Sequence, residues 1–171
     1  MKYTLTVLLL LFSANFVQAQ DNADLDSETT LIFVRHAEKA DDGTNDPPLN
    51  DLGKSRAVKL AKLLSDNYDI AAIFSTNYKR TINTGKPLAD QLGLTIQIYD
   101  FSDPLRFLTS ARERYAGSAV LIVGHSNSTP MLVNLLLGSE KYDAFPEEEY
   151  GTYFIVKVHE DGSIVDSKET Y

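Results

Sequence analysis

Arg35 and His36 sit side by side at the end of an apolar run, in "LIFVRHAEKA" (31–40). Two more blocks offer the same kind of chemistry. Arg80 lies within "STNYKRTINTG" (75–85), and His125 within "VGHSNSTP" (123–130). Guanidinium groups present planar, paired donors that match a phosphate dianion. A neutral imidazole is a nucleophile or a hydrogen-bond donor. Two arginines and two histidines therefore suit an anionic, phosphate-like ligand, provided the chain brings them together. Lys39 and Asn127 flank the two histidines and are candidates to touch the same ligand. A zinc site built from His36, Glu38 and His125 fits poorly. There is no His-x-x-x-His or cysteine pair, and two nearby arginines would repel a cation.

The elements that would position these residues can be read from periodicity. Residues 30–35 form a short apolar run expected to be a strand buried on both faces. An Asp-, Gly- and Pro-rich loop follows at 36–49. Asn50 or Asp51 then caps a helix reaching about Asn67, with Leu52, Ala57, Leu60, Ala61 and Leu64 at helical spacing. Strands are expected at 70–76, 94–99 and 119–124. Helices are expected at 77–93, with Pro87 kinking it, at 103–116 and at 127–138. Asp161-Gly162 marks the turn of a hairpin over 152–169. Alternating strands and helices indicate an α/β sandwich with a mostly parallel sheet. In such a sheet, loops at the carboxyl ends of the strands build the site. Arg35, His36, Arg80 and His125 all follow strands, so they are expected on one rim. A helix end there adds partial positive charge.

The ends of the chain and its composition set the context. "MKYTLTVLLLLFSANFVQA" (1–19) has one early lysine, an apolar run and a small-x-small ending. It reads as a secretory signal peptide, the alternative being a retained anchor. Residues 20–30 read as a flexible, acidic lead-in, and 31–171 as one domain. The protein is thus expected to be exported, periplasmic or secreted, with no stable membrane insertion after cleavage. The chain has 171 residues, no cysteine and a net charge of −8. Lys2 is the only charged residue in the first nineteen, so a chain starting near Gln20 carries −9. Such acidity argues against nucleic acid as a partner. An anionic substrate would need a local basic pocket in an adverse overall field. The sequence is silent on oligomeric state.

In order and spacing, "RHAEK", "PPLNDLGKSRA", "STNYKRTINTG" and "VGHSNSTP" resemble the histidine phosphatase superfamily, with its phosphoglycerate mutase-like fold. The resemblance implies a three-layer α/β/α sandwich over roughly residues 31–158. It also implies a phosphatase acting on a phosphorylated small molecule or surface phosphate group, without metal or other cofactor. His36 would be the nucleophile, forming a phosphohistidine. Arg35, Arg80 and His125 would hold the phosphoryl oxygens. Two departures stand out. The family's commoner Arg-His-Gly reads Arg-His-Ala here, which is tolerated unless Ala37 needs a positive φ. The general acid is the less settled position. Asp100 is favoured because it is closest to the end of the third strand, Asp103 is an alternative, and Glu147–Glu149 a weaker one. A catalytically silent phosphate-binding module and a phosphomutase remain as alternatives.

Overall fold

A computed structural model describes residues 28–171; the expected signal peptide and most of the lead-in lie outside the described residues. The elements run β1 (Thr29–Arg35), α1 (Asp51–Asn67), β2 (Ile70–Ser75), α2 (Lys79–Leu92), β3 (Ile96–Ile98), α3 (Pro104–Arg114), β4 (Ala119–Gly124), α4 (Ser128–Leu137), β5 (Thr152–Val158) and β6 (Ile164–Thr170). They form one six-stranded sheet in the order β3-β2-β4-β1-β5-β6. The pairs β1–β4, β2–β4 and β2–β3 are parallel, while β5 is antiparallel to both neighbours. Only β5 therefore runs against the rest, and the sheet is mixed but mostly parallel.

The side chains of β1 alternate between two cores, as the pleat requires. Ile32 and Val34 pack with Leu60 and Leu64 of α1 and Leu88 of α2. Leu31 and Phe33 pack with Leu108 of α3 and Leu132 of α4. The architecture is thus a three-layer α/β/α sandwich, with β1 buried along its whole length. That double burial explains why its sequence is continuously apolar rather than alternating. Helix α2 continues through Pro87 to Leu92, so the proline does not end it. Among the described residues, no helix is long and apolar enough to cross a membrane.

The sheet order decides what can meet. β4 lies between β2 and β1, with Arg35 opposite Gly124 and Ser75 opposite Val123. The segments leaving β1, β2 and β4 therefore emerge side by side on one rim. β3 is a three-residue strand at the sheet edge, on the far side of β2.

Candidate active site

The rim is built by backbone before side chains enter. The His36 N–H donates to the Gly124 carbonyl at 2.9 Å, which fixes the two histidine segments to each other. Gly124 has no room for a side chain. A Cβ there would lie 2.9 Å from both Ser128 Oγ and Thr129 Oγ1. The chain after His36 is clamped as well. The Ala37 N–H donates to the buried Thr84 hydroxyl of α2 at 2.9 Å, and that hydroxyl donates to the Arg80 carbonyl at 2.8 Å. Glu38 forms a paired ion bridge with Arg56 of α1, at 2.6 to 2.9 Å. Ala37 itself is buried against Leu49 and Ala57. No non-glycine residue among the described residues has a positive φ, so the alanine needs no special backbone.

The result is a pocket of about 410 Å³ lined by Arg35, His36, Lys39, Arg80, His125 and Asn127 among others. The rings of His36 and His125 meet edge-on, 5.5 Å apart. His36 Nδ1 lies 2.8 Å from the Ala37 carbonyl, which can only accept. Nδ1 therefore carries the proton, and Nε2 keeps its lone pair. Burial holds the His36 ring down to about 4, against the upward pull of its bond to Ala37. His125 and the two arginines push it further down. His125 is also held to about 4, by burial first and then by Arg80 and Arg35. At neutral pH both rings are uncharged in the ligand-free pocket.

The cations are held by different means. Arg80 stacks on the Tyr78 ring, 4.4 Å from its centroid, and one nitrogen lies 3.6 Å from Asp46. Asp46 also accepts the Lys79 N–H at 2.9 Å, so it caps α2 from a distant loop in place of Tyr78. Arg35 is almost wholly buried. Its Nη1 donates to the carbonyls of Pro146 and Glu149, both at 2.8 Å, and its guanidinium lies over the Tyr150 ring. Its Nε is buried with no protein partner. Lys39 Nζ pairs with Glu147 at 3.1 Å, and Arg35 Nη2 lies 3.4 Å from the same carboxylate.

The structure does not bring Asp100 into this pocket. Its carboxylate accepts from the Ser102 N–H and hydroxyl, at 2.9 and 2.6 Å, in an exposed turn. Those bonds hold its pKa down. It lines a separate surface hollow with Asp103, whose own carboxylate caps α3. The physical reason is the position of β3, at the sheet edge rather than beside β1 and β4. Glu147 is the carboxylate that lines the pocket. Its bond to Lys39 lowers its pKa, so it is ionised. His159 stands elsewhere, 3.8 Å from Glu28. Thr76, Tyr78, Phe101 and Ser126 also line the pocket and were not singled out from sequence. Among the described residues, no three His, Asp or Glu side chains are grouped to hold a metal ion.

Residues 31–101 match the family model described as the histidine phosphatase superfamily, branch 1. The match takes in Arg35, His36 and Arg80 and stops short of His125. Three solved structures share the architecture. The mycobacterial glucosyl-3-phosphoglycerate phosphatase Rv2419c is 17% identical with a TM-score of 0.65, over 84% of this chain and 98% of its own. YhfR from Bacillus stearothermophilus is 19% identical at 0.65, over 82% and 96%. The protein histidine phosphatase SixA, complexed with tungstate, is 18% identical at 0.66, over 84% and 96%. The fold is that of the histidine phosphatase superfamily. No curated protein matches the chain. At these identities the solved structures speak for the fold alone. The family model covers residues 31–101, less than half of the chain, and the solved structures share its fold.

Proposed function

We propose that this chain is an exported, metal-independent phosphatase that hydrolyses a phosphomonoester through a phosphohistidine on His36. The observation that carries the reading is the His36 ring. Its Nδ1–H is committed to the Ala37 carbonyl, so a bare Nε2 stands in a pocket lined by Arg35, Arg80, Lys39 and His125. A lone pair facing a site built for a dianion is what an in-line attack on phosphorus requires.

In the first step the Nε2 lone pair forms the N–P bond, and the P–O bond to the leaving group breaks with its electron pair. In the second, water attacks phosphorus, the P–N bond breaks, and the pair returns to His36. Arg35 Nε and the Arg80 guanidinium offer donors to the equatorial oxygens, where charge redistributes. The ionised Glu147 suits it to take the proton from the attacking water, and its ionisation makes it a poor acid for the leaving group. Substrates whose leaving group departs without a proton should therefore react fastest.

The test is turnover of a generic aryl phosphate by purified protein, with and without chelator, and the same assay on His36→Ala. The reading predicts activity that survives chelation and is lost in the variant. A protein that binds tungstate but turns over no phosphoester would be a silent phosphate-binding module. A strict need for added magnesium or zinc would contradict the mechanism. Export is tested by intact mass of the protein from the cell envelope or medium, with Gln20 or a close neighbour expected at its N-terminus.

A further inference from the structure

His125 is held by its far nitrogen. Its Nε2 lies 2.9 Å from the Thr76 hydroxyl, which lies 3.0 Å from the hydroxyl of Thr81. Thr81 is fully buried in α2 and lies 2.9 Å from the carbonyls of both Thr76 and Tyr78. Each hydroxyl owns one proton. The proton of Thr81 goes to a carbonyl, because carbonyls only accept. The contact between the two threonines then takes the proton of Thr76. None is left for the contact with His125, so the proton there comes from the imidazole. The other arrangement, with Thr76 donating to His125, would leave two buried oxygens facing each other at 3.0 Å with nothing between them.

The two histidines thus carry opposite tautomers: Nδ1–H on His36, set by Ala37, and Nε2–H on His125, set by Thr76. Among the described residues, Nδ1 of His125 makes no hydrogen bond within the protein, and the ring lines the pocket. A neutral His125 would then turn a lone pair toward a phosphoryl oxygen, which repels it. Both become compatible once Nδ1 is protonated.

We infer that Thr76, held by Thr81, is a positioning residue that fixes His125 as the Nε2–H tautomer, so that His125 takes up one proton from solvent when a phosphoryl group binds. This rests on the reading of the pocket as a phosphoryl site. The other charged or titratable groups around the ring are Arg35 from β1, His36 after it, Tyr78 and Arg80 at the start of α2, and Lys39 and Glu147 on the rim. The two arginines oppose a proton on His125 in the free pocket. A bound dianion offsets them, and this is why uptake accompanies binding.

Two measurements test the inference on the full chain. Ring ¹⁵N shifts of the free protein near neutral pH should show Nε2–H on His125 and Nδ1–H on His36. Calorimetry of tungstate binding, in two buffers of different ionisation enthalpy near about pH 6, should show uptake of close to one proton. Kept dilute enough not to condense, tungstate stays a monomeric dianion there, so the proton goes to protein. His125→Gln should bind more weakly with uptake near zero. Thr76→Val should reduce the uptake and shift the His125 tautomer, and Thr76→Ser should restore both. Nδ1–H on His125 in the free protein would overturn the inference. So would tungstate binding without uptake, or uptake that persists in His125→Gln. Failure to bind tungstate would sink the pocket reading and the coupling with it, while the ¹⁵N shifts would still report whether Thr76 sets the tautomer.

Discussion

The charged and titratable residues of the pocket are distinguished by what holds them, and this predicts that they fail differently. His36 presents a bare nitrogen, so His36→Ala should abolish the phosphoenzyme and nearly all turnover. His125 and Arg80 line the same pocket without that role, and loss of one preorganised donor costs about 10²–10³ in rate. Rapid quench with a ³²P-labelled substrate would show which histidine carries the label. Label surviving in His36→Ala and lost in His125→Ala would reverse the assignment. Asp100 gives the opposite test. Its carboxylate is spent on Ser102 in an exposed turn outside the pocket. Asp100→Asn should leave kcat/KM within about twofold, as for an ordinary surface change. Glu147→Gln should instead slow release of phosphate from the phosphoenzyme, so that labelled intermediate accumulates. The difference between the two carboxylates was not legible in the sequence. Asp100 follows its strand as closely as the site residues follow theirs, and only the sheet order shows that β3 is at the edge. Asp46 and Thr76 were hidden for a related reason. Each acts through a partner far along the chain, Lys79 for one and His125 for the other, and no local pattern marks such a pairing.

At the scale of elements, the sequence was most legible where one segment sets its own conformation. Asn50 and Asp51 both read as possible caps, and it is the Asn50 side chain that accepts the Gly53 N–H, at 2.8 Å, at the start of α1. Gly138 closes α4 in a left-handed conformation, φ 63°. The place of the hairpin was not legible. β5 and β6 are joined by a local turn, yet β5 pairs with β1, where Val34 lies opposite Tyr153. That pairing carries the preceding segment, Pro146 to Tyr150, onto Arg35. The first helix has a matching constraint with a measurable cost. A Cβ on Gly53 would lie 2.2 Å from the Glu38 carbonyl oxygen and 2.9 Å from its nitrogen. These are backbone atoms two residues past His36, and Glu38 is tied to Arg56, so they cannot yield cheaply. Gly53→Ala should therefore destabilise the fold by about 1–3 kcal/mol or more, despite the higher helix propensity of alanine. It should also lower kcat by displacing Ala37. Urea unfolding and steady-state kinetics on the same variant would check both. An unchanged midpoint with normal turnover would mean that α1 can slide without disturbing the nucleophile loop.

For the molecule as a whole, the site has a pH-dependent cost to stability. Both pocket histidines are held to about 4 in the fold, against an ordinary value of 6.5. The folded pKa is depressed, so the unfolded chain binds protons that the folded chain refuses. The sign follows. Stability is fully present above about pH 6.5 and is lost progressively as the pH falls toward 4. The carboxylates with depressed values, such as Glu38 and Asp166, contribute their own loss only as the pH falls into the ordinary carboxylate range, from about pH 5 downward. The interval between about 6.5 and 5 therefore belongs to the histidines. Urea midpoints of the ligand-free protein should fall across that interval, and His36→Asn combined with His125→Asn should flatten the fall. Parallel curves for the two proteins would show that the rings titrate normally and that the pocket does not suppress their charge. Saturating tungstate separates the two rings further. If its binding places a proton on His125, the bound fold accepts at that ring what the free fold refuses. The fall should then shrink to the part owed to His36, which keeps its bare Nε2 in the complex.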